Sequence, residues 1–177
     1  MSNNNTNALN QLILIVDDDA SIRMTAAGIL DLQGYSVLEA DSAEACLSIC
    51  QQQKPDLILL DAVMPGMDGF ACALKLKSIF GIYCPPIFMM TALSDRDSLY
   101  RSFDVGITDY LVKPLDWASL PQKIKKLTLN HSKSNQLKEQ FAEINSLKEK
   151  LDDTVHCHLN KTQGKMQKTL SLSLPRI

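Results

Sequence analysis

Residues 56–69 read DLILLDAVMPGMDG, and this stretch decides the fold. Leu57-Ile58-Leu59-Leu60 is a short unbroken apolar run, the pattern of a strand buried on both faces. Asp61 ends it, and Pro65-Gly66-Met67-Asp68-Gly69 is turn chemistry. Apolar residues then recur at helical spacing from about Phe70 to Ser78. The unit is a strand, a carboxylate at its end, a turn and a helix.

The same unit repeats on either side. Leu12-Ile13-Leu14-Ile15-Val16 predicts a first strand, followed by a helix over about 20–32 that Gly34 stops. Val37-Leu38 opens a second strand, and Ser42 can cap a helix running to about Gln52. Ile87-Phe88-Met89-Met90 predicts a fourth strand, with a helix over about 95–105. Tyr110-Leu111-Val112 predicts a fifth, with a last helix from near Trp117. Strands and helices alternating this way give an α/β fold: a five-stranded parallel sheet, doubly wound, with helices on both faces. A C-terminal helical extension is expected after it.

The domain division follows composition. Residues 1–10 are Asn-rich and lack a basic-then-apolar signal, so they read as a flexible, native leader; any truncation is expected at the other end. The globular body spans 11–129. Residues 130–160 form a linker helix: 130–135 read as a polar joint, and apolar residues at Leu137, Phe141, Ile144, Leu151 and Val155 resemble a heptad seam interrupted by Lys148. Residues 161–177 carry Gly164 and Pro175 without a clear period and are expected to be disordered.

Charge divides the chain as well. Residues 1–122 hold 7 Lys+Arg against 15 Asp+Glu, a net of −8, while 123–177 hold 11 against 5, a net of +6. The basic tail reads as a solvated helix surface, with no direct nucleic-acid binding expected. No apolar run approaches the ~20 residues of a membrane helix. Five cysteines without a CxxC pair suit free thiols in a reducing cytoplasm.

In a doubly wound sheet, ligands bind beyond the carboxyl ends of the strands. Strand one ends in Asp17-Asp18-Asp19, strand three in Asp61, strand four in Thr91, strand five in Lys113-Pro114. Carboxylates gathered on one rim repel each other unless a cation bridges them. An oxygen-only donor set suits a hard ion, Mg²⁺ above all. One carboxylate can then attack phosphorus, with Lys113 neutralising phosphoryl oxygens and Thr91 donating a hydrogen bond.

These residues resemble the receiver domain of bacterial two-component response regulators, a flavodoxin-like fold. The resemblance rests on LILIVDD at 12–18, DLILLDAVMPGMDG at 56–69, Met90-Thr91-Ala92 and DYLVKPL at 109–115. It covers about 12–129, roughly two-thirds of the chain. It implies that Asp61 is the phosphoacceptor. Asp18 and Asp61 would bind Mg²⁺ directly, Asp17 mainly through water, and the backbone carbonyl of Val63 would be a further ligand. Thr91 and Lys113 would read the phosphoryl group, Ala92 would leave it room, and Tyr110 would be the aromatic switch.

The resemblance also implies the partners. The donor would be a sensor histidine kinase or a histidine phosphotransfer protein. The chain would be a signalling phosphoacceptor rather than an enzyme, with autocatalytic transfer and slow self-dephosphorylation. A homodimer would form through the face of helix four, strand five and helix five, or through the linker helix. Trp117 resembles receivers fused to diguanylate cyclase or kinase modules, although a Trp opening a helix is more simply a packing residue.

Other readings fit less well. A degenerate receiver, acting as a phosphorylation-independent interaction or dimerisation module, would be favoured by loss of Asp61, Lys113 or the acidic pair, and none is lost. A haloacid-dehalogenase-type phosphatase needs a second Asp two residues after the nucleophile, where Val63 stands. A dinucleotide site needs a Gly-rich turn where Asp17-Asp18-Asp19-Ala20 stands. Asp19 is expected to cap the first helix, Asp68 to set loop geometry, and Cys46 and Cys50 to fill core space. His156, Cys157 and His158 read as solvent-facing rather than as a metal site.

Overall fold

A computed structural model describes the backbone of residues 11–92 and 107–172, and of these the side chains of all but 152, 153 and 155–172. The expected leader at 1–10, the helix expected over 95–105, residues 173–177 and the side chains of His156, Cys157 and His158 lie outside the described residues.

The elements follow in the order β1 (Leu12–Val16), α1 (Ala20–Asp31), β2 (Ser36–Ala40), α2 (Ala43–Gln52), β3 (Leu57–Asp61), α3 (Gly69–Phe80), β4 (Ile87–Ala92), β5 (Asp109–Lys113) and α4 (Leu120–Leu172). The sheet order is β2-β1-β3-β4-β5 and every pairing is parallel. This is the expected architecture. The chain reverses direction of growth between β1 and β3, so a crevice opens at their carboxyl ends.

Alternation along each strand supplies both faces of the core. Leu14, Val16, Ile58, Leu60 and Met89 pack with Cys46, Phe70 and Leu76 of α2 and α3. Ile13, Ile15, Leu57, Leu59, Phe88 and Met90 pack with Leu30 of α1 and Leu120 and Ile124 of α4. Trp117 packs against this second cluster. All five residues of β3 are buried, which explains its unbroken apolar run. Truncating a fully buried residue such as Leu59 to Ala would cost about 2–5 kcal/mol.

Two helix starts follow their capping residues. Asp19 accepts a hydrogen bond from the Ser21 amide at 2.8 Å, and Ser42 accepts one from the Ala45 amide at 3.4 Å. Cys46, Cys50 and Cys72 are buried free thiols.

Three expectations at the C-terminal end are corrected. The last helix starts at Leu120, not Trp117, because Asp116 organises a preceding turn by accepting from the Ala118 amide at 3.2 Å. Pro121 then falls in the first turn, where its missing N–H costs nothing. The joint expected over 130–135 is helical, and the tail expected to be disordered is helical through Leu172. Asn130, His131, Ser132 and Ser134 are weak helix formers but not breakers, and the single Gly164 costs only about 1 kcal/mol.

The chain divides into two compact units, Met1–Ser132 and Lys133–Ile177. In the second, Leu137, Phe141, Ile144, Leu147 and Leu151 are exposed.

Candidate functional site

Asp17 and Asp18 leave the end of β1, and Asp61 is the last residue of β3. β1 and β3 are neighbours in register, with Val16 beside Leu60, so sheet pairing alone brings the carboxylates together. One oxygen from each of Asp17, Asp18 and Asp61 lies within 4.8 Å of the others. Asp17 is fully buried, Asp61 nearly so, and Asp18 is exposed.

Asp17 is held from every side. Its amide donates to the Ala40 carbonyl at 3.2 Å. Its carbonyl accepts from the Arg23 guanidinium at 2.7 Å. Its Oδ1 accepts from the Asp19 amide at 2.9 Å, and its Oδ2 from Lys113 Nζ at 2.9 Å.

Lys113, the last residue of β5, also lies 3.0 Å from Asp61 Oδ1. Its stem runs past β4 to the centre of the sheet. Burial alone would lower the ammonium's pKa, but hydrogen bonds to Asp17 and Asp61 outweigh it and hold the pKa above its ordinary value. For Asp61 the balance goes the other way. Burial pushes its carboxyl above the usual range; Lys113 pulls it back, and the charge of Asp17 adds to the rise. Asp19 stands apart from the cluster: its bond from the Ser21 amide lowers its pKa, as suits a helix cap.

Thr91 is buried near the end of β4, with its hydroxyl donating to the Ala92 carbonyl at 3.3 Å. The next pair along, Ala92 and Lys113, is in register. Ala92 is exposed at the rim. Tyr110 is half-buried against the cluster of Ile58, Leu60 and Met89. Val63 is exposed, and its amide donates toward the Asp61 carboxylate. Lys113-Pro114 is a cis peptide.

The turn after β3 fixes the approach to Asp61. Asp68 caps α3, accepting from the Ala71 amide at 2.7 Å. A Cβ on Gly69 would fall on the carbonyl oxygen of Asp61 and lie 3.0 Å from Ala62 Cα. Only glycine lets α3 begin this close to the strand.

Sequence reasoning singled out Asp17, Asp18, Asp61, Val63, Thr91, Tyr110 and Lys113. All lie at or beside the carboxyl rim except Tyr110, which packs on the core three residues before Lys113, beside Met89 of β4. It missed Arg23. One signal was available: a cation in the first turn of a helix opposes the helix dipole, so an Arg four residues into α1 needs a nearby electron-rich partner.

The donor set fits a hard divalent ion. It is carboxylate oxygen throughout, and three carboxylates with one ammonium leave a formal surplus of two negative charges. A carboxylate at this rim, with an ammonium beside it, is chemically able to act as a nucleophile toward phosphorus.

Comparison with known proteins identifies the family and the fold. Residues 13–125 match the family described as "Response regulator receiver domain". The phosphate regulon transcriptional regulatory protein PhoB of Pseudomonas aeruginosa is 39% identical over 113 residues, 64% of this chain and 49% of that protein. The transcriptional regulatory protein PdtaR of Mycobacterium tuberculosis is 33% identical over 146 residues, 82% of this chain and 68% of that protein. Among solved structures, the chemotaxis protein CheY4 of Vibrio cholerae superposes with a TM-score of 0.62 at 29% identity, covering 66% of this chain and 98% of that one. A receiver domain protein from Methanospirillum hungatei gives 0.66 at 28% identity, covering 70% and 98%. The chain spans about half the length of the curated relatives it matches first.

Proposed function

The chain belongs to the response regulator receiver family, a receiver of two-component phosphorelay signalling, and from that premise we propose that Asp61 is its phosphoacceptor. The observation that carries the assignment is the bridging of Asp61 and Asp17 by the Lys113 ammonium at the rim of the sheet. Asp61 attacks the phosphorus of a phosphohistidine on a sensor kinase or phosphotransfer protein. The P–O bond forms, the P–N bond breaks, and the imidazole leaves with a proton. The transfer is autocatalytic, because the chain's own groups supply the nucleophile and the charge neutralisation. Slow self-dephosphorylation by water resets it.

Asp18 and Asp61, with the Val63 carbonyl, would hold Mg²⁺, and Asp17 would support it mainly through water; when bound, the ion would neutralise charge on the phosphoryl oxygens. Lys113 exchanges its contact with Asp61 for the phosphoryl group, and Thr91 turns its hydroxyl from the Ala92 carbonyl toward the same group. Tyr110 follows into the space Thr91 leaves. The surface around β5 changes, and with it a partner or dimer contact.

The body spans 11–129, with the rest of α4 as a linker that carries the change onward. No helix among the described residues is long and apolar enough to cross a membrane. The buried free thiols support a cytoplasmic protein. The output belongs to a partner protein or to a further module of a longer chain. A degenerate receiver is disfavoured, since every charged group the chemistry needs is present.

Borohydride reduction tests the assignment. It converts an aspartyl phosphate to homoserine, and peptide mapping after phosphorylation should place homoserine at position 61. Homoserine at another position would overturn it.

A further inference from the structure

We propose that Arg23 is a positioning residue that sets the cation site by clamping the backbone on which Asp17 and Asp18 are carried. The proposal rests on the reading of that site as a Mg²⁺-dependent phosphoacceptor.

Arg23 lies in the first turn of α1, and helical side chains lean back toward the N-terminus. One guanidinium nitrogen donates to the Asp17 carbonyl at 2.7 Å and to the Asp18 carbonyl at 3.3 Å. The Nε side faces Glu39 Oε2 of β2 at 3.4 Å. The Arg23 side chain is only 16% exposed. The planar fork thus joins three elements: the loop after β1, the start of α1, and β2.

The electrostatics argue that the placement serves the loop. The helix N-terminus repels a cation, so Arg23 gains nothing from its position in α1. Its partners are two carbonyl oxygens that the α1 hydrogen-bond ladder does not use, together with Glu39. The two peptide planes fixed in this way decide where the Asp17 and Asp18 side chains emerge. Asp17 is held independently through its amide and both carboxylate oxygens. Asp18 is exposed, and its backbone carbonyl is the point at which Arg23 holds it. Loss of Arg23 therefore acts first on Asp18, and through it on the cation.

A lysine cannot replace this geometry. Its ammonium is a point donor without the planar fork that faces both carbonyls and a carboxylate together. Arg23→Lys keeps the charge and loses the clamp, which separates positioning from a mere change in local charge.

The test titrates the full chain with Mg²⁺ alone by calorimetry, and measures exchange of the Asp19 amide by NMR without metal. Arg23→Ala should weaken Mg²⁺ binding about tenfold, as loss of an outer support typically does. It should also speed Asp19 exchange, and raise the Mg²⁺ needed for half-maximal phosphorylation while leaving uptake at saturating Mg²⁺ near wild type. Arg23→Lys should fall between, and decides the matter if Arg23→Ala does not fold. Wild-type Mg²⁺ affinity and Asp19 exchange in a folded Arg23→Lys and Arg23→Ala would overturn the proposal. Failure of the wild-type chain to bind Mg²⁺ would overturn the site reading on which it rests.

Discussion

The Lys113 ammonium stands 3.0 Å from Asp61 Oδ1 across the width of β4, and its other contact, Asp17 Oδ2, is at 2.9 Å. One side chain from the edge strand thereby senses the charge of both central carboxylates. In the proposed reaction a phosphoryl group on Asp61 would compete for that ammonium, a physical route from chemistry at β3 to the surface around β5.

Removing that ammonium should separate binding from switching. Lys113→Ala is expected to leave Mg²⁺ affinity within about threefold of wild type, since the carboxylate set is intact and more negative. Phosphorylation should still be detected, but the chemical-shift change at Tyr110 that accompanies it should be lost. A full Tyr110 response in this variant, followed by NMR, would remove Lys113 from the relay.

Acidity should titrate the metal-free site in a definite direction. Burial raises the Asp61 carboxyl above its usual range. In the chain without Mg²⁺, NMR should show Asp61 taking up its proton at a pH above the ordinary carboxylate range. Lys113→Ala should move the midpoint upward, because the ammonium opposes the rise. The same group affects stability. The folded chain binds the Asp61 proton more tightly than the unfolded chain, so this contribution to stability is present at low pH and lost as pH rises through the folded pKa. Asp61→Asn should therefore melt higher than wild type at neutral pH without metal, as thermal melts of the two chains would show.

Neighbouring aspartates should behave differently. Asp18→Ala is expected to weaken Mg²⁺ binding by about tenfold or more, whereas Asp19→Ala should lower the melting temperature through the lost cap and leave Mg²⁺ affinity near wild type. Calorimetric titration and thermal melts of the two variants check this. Equal losses of Mg²⁺ affinity would show that the pair is misassigned.

Gly69 controls how closely α3 approaches Asp61. Gly69→Ala places a methyl against the Asp61 carbonyl, and backbone cannot step aside as a flexible side chain can. Destabilisation of about 1–3 kcal/mol is expected, with slower phosphoryl uptake. Denaturant melts and uptake rates measure both.

Much of this was legible in the sequence because the chemistry sits where periodicity ends. Each buried strand announces itself as an apolar run, and the first polar residue after it falls on the rim by topology. Asp17, Asp61, Thr91 and Lys113 were found that way. The Lys113 contacts to both Asp17 and Asp61 depend on strand order, which single-strand patterns do not encode. Arg23 escaped because two of its partners are backbone carbonyls, which carry no residue signature, and the third, Glu39, is brought near only by strand order. The continuous helix through 130–135 escaped because Ser, Asn and His suggest a joint by composition, yet without a nearby Gly or Pro nothing forces a break.

Intact mass after incubation with acetyl phosphate, with and without Mg²⁺, tests the central claim most directly. The account predicts a gain of one phosphoryl group that requires Mg²⁺ and disappears in Asp61→Asn. No gain in the folded wild-type chain, or an equal gain in Asp61→Asn, would contradict it.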